Sequence, residues 1–103
     1  MINTKMKKVL EEAQRIKDEF QRDLSKMRIS ATAGGGAVTA TVNGQKDLLE
    51  LNIDPGVVDP SDIEMLQDLV VAAINEASRR VDEEIQQKLG GIMGGMGLPG
   101  MMG

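Results

Sequence analysis

The chain has 103 residues, a net charge of −4, and neither cysteine nor histidine. Its length suits one domain, and the missing residue types exclude a disulfide framework, a thiolate metal site and catalysis by a histidine base. The apolar segments are shorter than the roughly 20 residues that span a bilayer, and the first residues lack a signal-peptide core. We therefore expect a non-enzymatic cytoplasmic protein with no cofactor, no metal, no small-molecule substrate and no membrane partner.

The first predicted element is a long amphipathic helix over residues 3–28. Its apolar residues follow heptad positions a and d, which favours a helix–helix seam over an isolated surface helix. These residues are Met6, Val9, Ala13, Ile16, Phe20 and Met27. At 1.5 Å per residue the helix is about 39 Å long, which is long for so small a domain.

The same helix carries a basic face. Residues 1–28 hold eight of the twelve basic residues of the chain but only five of its sixteen acidic residues. Lys8, Arg15 and Arg22 share heptad position c, about 10.5 Å apart, and Lys7 lies in the neighbouring column. Such a stripe can bind phosphates. The alternative is a solvated face on which i,i+4 pairs, such as Glu11 with Arg15, offset the charge.

Residues 29–53 change to the two-residue alternation of β-strands. The alternating segments ISATA, AVTATV and LLELNI are separated by GGG and by an Asn-Gly pair, which is typical of a hairpin because both residues tolerate positive φ. A two-residue turn pairs Val38 with Leu49, and a four-residue turn pairs Val38 with Leu51. Both registers place the same apolar residues on one face: Val38, Ala40, Val42, Leu49, Leu51 and Ile53. The other face suits water: Thr39, Thr41, Glu50 and Asn52.

A second helix is predicted to run to about Leu89, with Asp59 or Ser61 as its cap and a capping box at residues 61–64. Its apolar stripe contains Ile63, Leu66, Val70, Ala73, Ala77, Val81 and Ile85. Arg79 and Arg80 lie on this helix just before three acidic residues, which favours intrahelical ion pairs. If the two helices lie side by side, these arginines would instead extend the basic face.

Residues 90–103 read GGIMGGMGLPGMMG, of which half is glycine. Glycine loses so much entropy on ordering that we expect a disordered Gly/Met-rich tail after a domain formed by residues 1–89. The tail is either inert or an adaptable contact surface, because methionine is soft and flexible.

The element order predicts an α+β protomer, α-β-β-β-α, with a three-stranded antiparallel sheet and two long helices. One small sheet cannot cover two such helices, so much of their apolar surface would be exposed in a monomer. A homodimer would bury it. We expect five sheet residues at the dimer interface: Val38, Val42, Leu49, Leu51 and Ile53.

The segments GGGAVTATVNG and LNIDPGVVDPSDIEMLQDLVVAAINEASRRV together resemble the YbaB/EbfC family of bacterial nucleoid-associated DNA-binding proteins, over about residues 3–89. The resemblance implies an α-β-β-β-α homodimer that has no catalytic residues. It also implies binding of duplex DNA with limited sequence preference, at the nucleoid, with effects on nucleoid organisation and gene expression. DNA contact is attributed to projecting helices, which here carry Lys5, Lys7, Lys8, Arg15, Arg22, Arg79 and Arg80.

A protein-interaction or adaptor module is the alternative function. The heptad stripe and the Gly/Met tail would then engage an unidentified protein partner, and DNA binding would be weak or incidental. The acidic net charge supports this alternative, because negative surfaces repel DNA.

Overall fold

A computed structural model describes residues 3–95 and confirms the predicted α+β order. The elements are α1 (Thr4–Lys26), β1 (Ile29–Ala33), β2 (Val38–Val42), β3 (Leu48–Ile53), a 3₁₀ turn (Pro55–Val57) and α2 (Ile63–Gly95). The strands form one antiparallel sheet in the order β1-β2-β3. The molecule measures 67 × 35 × 19 Å, because both helices extend well beyond the sheet.

The first helix, α1, is held to the fold at its C-terminal end. Its N-terminus is capped by Asn3, whose Oδ1 accepts a hydrogen bond from the Met6 amide at 2.8 Å. No side chain within Thr4–Lys26 is buried. At the other end the Gly44 amide donates to the Leu24 carbonyl at 2.8 Å. A Cβ on Gly44 would lie 2.8 Å from Leu24 and Met27 side-chain atoms, so this close approach requires glycine.

The turn between β2 and β3 differs from the predicted Asn-Gly turn. Asn43 Oδ1 accepts hydrogen bonds from the Gln45 and Asp47 amides at 2.9 and 3.0 Å, so the turn spans residues 43–47. The positive φ, 67°, falls on Lys46 rather than on Asn43 or Gly44. The asparagine side chain therefore organises the turn, and the glycine serves the contact with α1.

The longer turn shifts the strand register from both predicted registers. Val38 pairs with Ile53, and Ala40 pairs with Leu51. Leu51 and Ile53 nevertheless share the face of Val38, as predicted, because directly paired residues point to the same side. A bulge near the turn leaves Leu49 out of the pairing, so simple alternation does not fix its face.

The core lies between α2 and the side of the sheet that carries Ala31, Val38 and Ala40. Its fully buried side chains are Ala31, Val38, Ala40, Val42, Ala73, Ala77 and Val81. The alanines let α2 lie close to the sheet. The helix covers β1 and β2 and leaves β3 at an uncovered edge. Val38 and Val42 therefore lie in the interior of one chain, and their predicted direct contact with a second copy does not fit this burial.

The other face of the sheet is less exposed to water than predicted. Thr41 is buried, and its hydroxyl lies 2.7 Å from the Ser30 hydroxyl on the neighbouring strand. Arg28 forms an ion pair with Glu50 at 3.2 Å on the exposed part of this region. Thr41 and Glu50 thus bond to residues in or directly before β1.

The second helix, α2, differs from the prediction at both ends. Its cap is Asp62, whose Oδ1 accepts from the Met65 amide at 3.2 Å. Asp59 caps the preceding turn instead, by accepting from the Ser61 amide and hydroxyl. The helix continues past Leu89 to Gly95, because extending an existing helix costs less than starting one. The rest of the predicted tail, residues 96–103, lies outside the described residues.

Candidate nucleic-acid interface

The exposed helix α1 presents a group of basic side chains with no acidic partner. Among residues 3–95, no carboxylate lies within ion-pair distance of four of the predicted DNA-binding residues. These four residues are Lys5, Lys7, Lys8 and Arg22, and we call them the open cations. All four are exposed, so their charges are available to an anion in solution.

Arg15 lies in the same column as Lys8 and Arg22 but is neutralised locally. Its Nη1 donates to Glu19 at 2.8 Å, and its Nε and Nη2 donate to Glu12. The hydrogen bond and the charge of Arg15 hold the pKa of the Glu12 carboxyl below its ordinary value. The predicted pair of Glu11 with Arg15 is wrong, because Glu12 takes that place.

Arg79 on α2 is neutralised in the same way. Its Nη1 donates to Glu83 at 2.8 Å, and its Nη2 lies 2.6 Å from a Glu76 oxygen. Hydrogen bonding to Arg79 lowers the pKa of the Glu76 carboxyl. The prediction of intrahelical ion pairs at this position is confirmed.

Arg80 joins two elements of the fold. Its Nη1 donates to the Ser30 carbonyl of β1 at 2.9 Å, and its Nε lies 3.4 Å from Glu76. The hydrogen bonds and ion pairs of Arg79 and Arg80 go to α2 and β1. Both predicted DNA-binding residues of α2 are therefore engaged by other groups of the same chain.

Two further lysines of α1 share the properties of the open cations. Lys17 and Lys26 are exposed and, within the described chain, also have no carboxylate at ion-pair distance. The sequence prediction did not include these two lysines. For Lys17 the sequence contains a usable signal: Ala13, Gln14, Phe20 and Gln21 occupy its i±3 and i±4 positions, and none of them is acidic.

Large apolar surfaces accompany the basic face. The α1 side chains Met6, Val9, Ile16 and Phe20 are 47–66% exposed. On β3, Leu48, Leu49 and Leu51 are 37–46% exposed. A cavity of about 190 Å³ lies between the C-terminal parts of the two helices. It is lined mainly by Phe20, Leu24, Met27, Ile85 and Leu89.

Residues 3–95 contain neither a cluster of metal ligands nor a membrane-spanning helix. In this part of the chain no three His, Cys, Asp or Glu side chains come together in a way that could hold a metal ion. Neither helix, over its described residues, is long and apolar enough to cross a membrane.

Comparisons with known proteins identify a DNA-binding family. The model of the YbaB/EbfC DNA-binding family matches residues 2–96. A nucleoid-associated protein of Koribacter versatilis is 60% identical over 83 residues, which cover 81% of this chain and 82% of that protein. A nucleoid-associated protein of Alkaliphilus metalliredigens is 43% identical over 100 residues, which cover 97% and 87% of the two chains.

The fold also has a counterpart among solved structures. The crystal structure of an uncharacterised protein from Helicobacter pylori superimposes with a TM-score of 0.71 at 19% identity. The match covers 90% of this chain and 99% of that chain, and at this identity it supports the fold alone. The family match over nearly the whole sequence carries the assignment, and the chain belongs to the YbaB/EbfC DNA-binding family.

Proposed function

We propose that the chain binds duplex DNA as a homodimer, with low sequence specificity and mainly through phosphate contacts. It acts at the nucleoid in the cytoplasm, where it influences nucleoid organisation and gene expression, and it has no enzymatic activity. The observation that carries this proposal is an exposed helix with open cations in a chain of a DNA-binding family. The names of the relatives, nucleoid-associated proteins, support the location.

The chemistry of the open cations supports phosphate contact over base reading. Three of the four are lysines, which act as flexible point charges rather than as fixed hydrogen-bonding forks. Contacts to phosphate oxygens position a protein on DNA but carry no sequence information. The only aromatic residue, Phe20, belongs to the apolar stripe of α1, so aromatic stacking on single-stranded bases has little support.

The exposed apolar residues support the homodimer. α2 leaves β3 uncovered, so Leu49 and Leu51 remain on the surface with Ile53 half-buried beside them. The apolar stripe of α1 is likewise uncovered in one chain. A second copy would bury both surfaces about a twofold axis, while Val38 and Val42 support the sheet from inside. Dimerisation would also double the number of open cations on one DNA-binding particle.

A lysine substitution on α1 tests the proposed contact. Lys8→Gln should lower the affinity for a mixed-sequence duplex and reduce the slope of log affinity against log salt by about 2, one unit for each protomer. Lys46→Gln is the matched control, because Lys46 lies in the β2–β3 turn and pairs with Asp82 at 3.0 Å. Equal salt slopes for the two variants would contradict phosphate contact by Lys8.

A protein-interaction module remains the second candidate function, supported by the uncovered apolar stripe of α1 and the acidic net charge. In that case the stripe or the Gly/Met tail would bind another protein. Removing the whole tail after Leu89, residues 90–103, separates the candidates. A DNA-binding homodimer keeps its affinity for the duplex after this truncation, whereas an adaptor that depends on its tail loses its protein partner.

A further inference from the structure

The same eight-residue pattern occurs on both helices. Residues 12–19 read EAQRIKDE and residues 76–83 read EASRRVDE, so five of eight positions are identical. In each segment one arginine stands three residues after a glutamate and four residues before another. Because residues three and four apart are neighbours on a helix, this spacing places one carboxylate on each side of the guanidinium.

The structure gives both segments the same geometry, which we call the carboxylate clamp. In each clamp the Nη1 of the arginine donates to the later glutamate at 2.8 Å. The Nε and Nη2 donate to the earlier glutamate. Every nitrogen of the two guanidinium groups therefore donates to a carboxylate. The two clamps are Glu12 with Arg15 and Glu19, and Glu76 with Arg79 and Glu83.

A clamped arginine cannot bind a phosphate without giving up a carboxylate. Carboxylate and phosphate oxygens compete for the same planar fork of N–H donors. A glutamate released from the arginine would also remain beside the DNA and repel it. The open cations carry no such penalty, because within residues 3–95 they have no carboxylate at ion-pair distance.

We propose that the two carboxylate clamps compete with DNA phosphates for Arg15 and Arg79 and thereby hold down the affinity of the chain for duplex DNA. This inference rests on the proposed function. The glutamates of the clamps keep Arg15 and Arg79 from binding phosphate. The open cations therefore supply the phosphate contacts, and the glutamates limit how many basic residues take part. The acidic residues of these helices then have a role in tuning DNA binding as well as in supporting the helices.

Adjacent glutamates provide matched controls for the clamps. Glu11 and Glu84 directly neighbour clamp residues Glu12 and Glu83, and both are exposed. Neither forms an ion pair within the described chain. Replacing any of these four glutamates with glutamine removes one negative charge from nearly the same place. A difference within a pair of variants therefore reports the direct contact with arginine rather than the general change in charge.

The test is fluorescence anisotropy of a labelled mixed-sequence duplex with the full chain at fixed salt. Glu12→Gln and Glu83→Gln should bind about three- to fivefold more tightly than the parent chain, the range set by the strength of exposed ion pairs. Glu11→Gln and Glu84→Gln should gain less than about twofold, as expected for a distant screened charge. In an Arg15→Gln background, the advantage of Glu12→Gln over Glu11→Gln should disappear.

Two results would overturn the inference, and they are distinguishable. Equal gains within each pair of variants, with binding by the parent chain, would show that the clamps only support their helices. Absence of binding by every chain at low salt, including the parent, would overturn the proposed function and the inference with it. Circular dichroism of each variant verifies that α1 and α2 are still helical, so that a change in affinity is not a change in folding.

Discussion

The two long helices share two sequence patterns but lie in different environments. Both have an apolar stripe at helical spacing, and both contain the clamp pattern, yet only α2 has its stripe covered by the sheet. In α1 no side chain of Thr4–Lys26 is buried. An amphipathic pattern therefore shows that a helix has an apolar face that packs against another surface. It does not show whether that surface belongs to the same chain. This difference makes α2 the helix that forms the core and leaves the apolar stripe of α1 available to a partner.

Substitution of equivalent apolar residues on the two helices should produce the largest contrast. Val81→Asp would bury an unpaired carboxylate against the sheet, at a cost of several kcal/mol, and we expect it to unfold the chain. Val9→Asp on α1 should leave the chain folded, because Val9 is 66% exposed. Urea unfolding followed by circular dichroism measures both effects. Similar losses of stability would contradict the assignment of different roles to the helices.

A charge placed within the α1 stripe should break the dimer without unfolding the protomer. Phe20→Asp is expected to raise the dimer dissociation constant by at least about tenfold, since it removes a large apolar contact. Gln21→Asp, one residue along the helix and outside the stripe, is the control and should leave the dimer intact. Sedimentation equilibrium measures both. If the two variants have identical masses at every concentration, the apolar stripe of α1 does not form the dimer interface.

The adjacent arginines of α2 should differ in their effect on stability. Arg80→Gln loses the hydrogen bond to the Ser30 carbonyl that joins α2 to β1, and we expect a cost of about 1 kcal/mol. Arg79→Gln should change the free energy of unfolding little, because Arg79 is exposed and its two partners, exposed Glu83 and half-buried Glu76, belong to the same helix. Chemical denaturation tests the difference. A larger loss for Arg79→Gln would show that the clamp supports the whole fold.

The smallest expected effect is a pH dependence of the α1 clamp. Arg15 lowers the pKa of Glu12 in the folded chain, so the pair stabilises the helix fully above about pH 4.3, the ordinary glutamate pKa. This contribution is lost as the pH falls through the lowered pKa. The helicity difference between the parent chain and Glu12→Gln should therefore be constant near neutral pH and vanish in acid. A difference that persists in strong acid would exclude the ion pair as its cause.

Local patterns predicted the elements better than their contacts. The order of helices and strands and the start of α1 followed from periodicity, which depends on neighbouring residues alone. The strand register did not, because the Asn43 side chain lengthens the turn and Gly44 serves a contact with α1. The sequence also did not show that Val38 is buried within one chain and so is not available to a dimer interface. Alternation shows which residues share a face of the sheet, but it does not show that α2 covers that face.

The candidate site was predicted in part for the same reason. Helical spacing identified the basic face of α1, and the structure leaves Lys5, Lys7, Lys8 and Arg22 open. Spacing alone allows four acidic partners for Arg15, namely Glu11, Glu12, Asp18 and Glu19. Only the side-chain geometry shows that it binds Glu12 and Glu19. The role of Arg80 depends on a contact with Ser30, which is fifty residues away, and no local pattern could reveal it.

The most direct test of the account is a salt titration of duplex binding by the parent chain, with its dimeric mass confirmed under the same conditions. If the open cations of both protomers contact phosphates, log affinity should fall linearly with log salt. The slope should be negative, with a magnitude of several units that does not exceed about 7. A slope near zero, or no binding at low salt, would contradict the claim that α1 binds DNA through its unpaired charges.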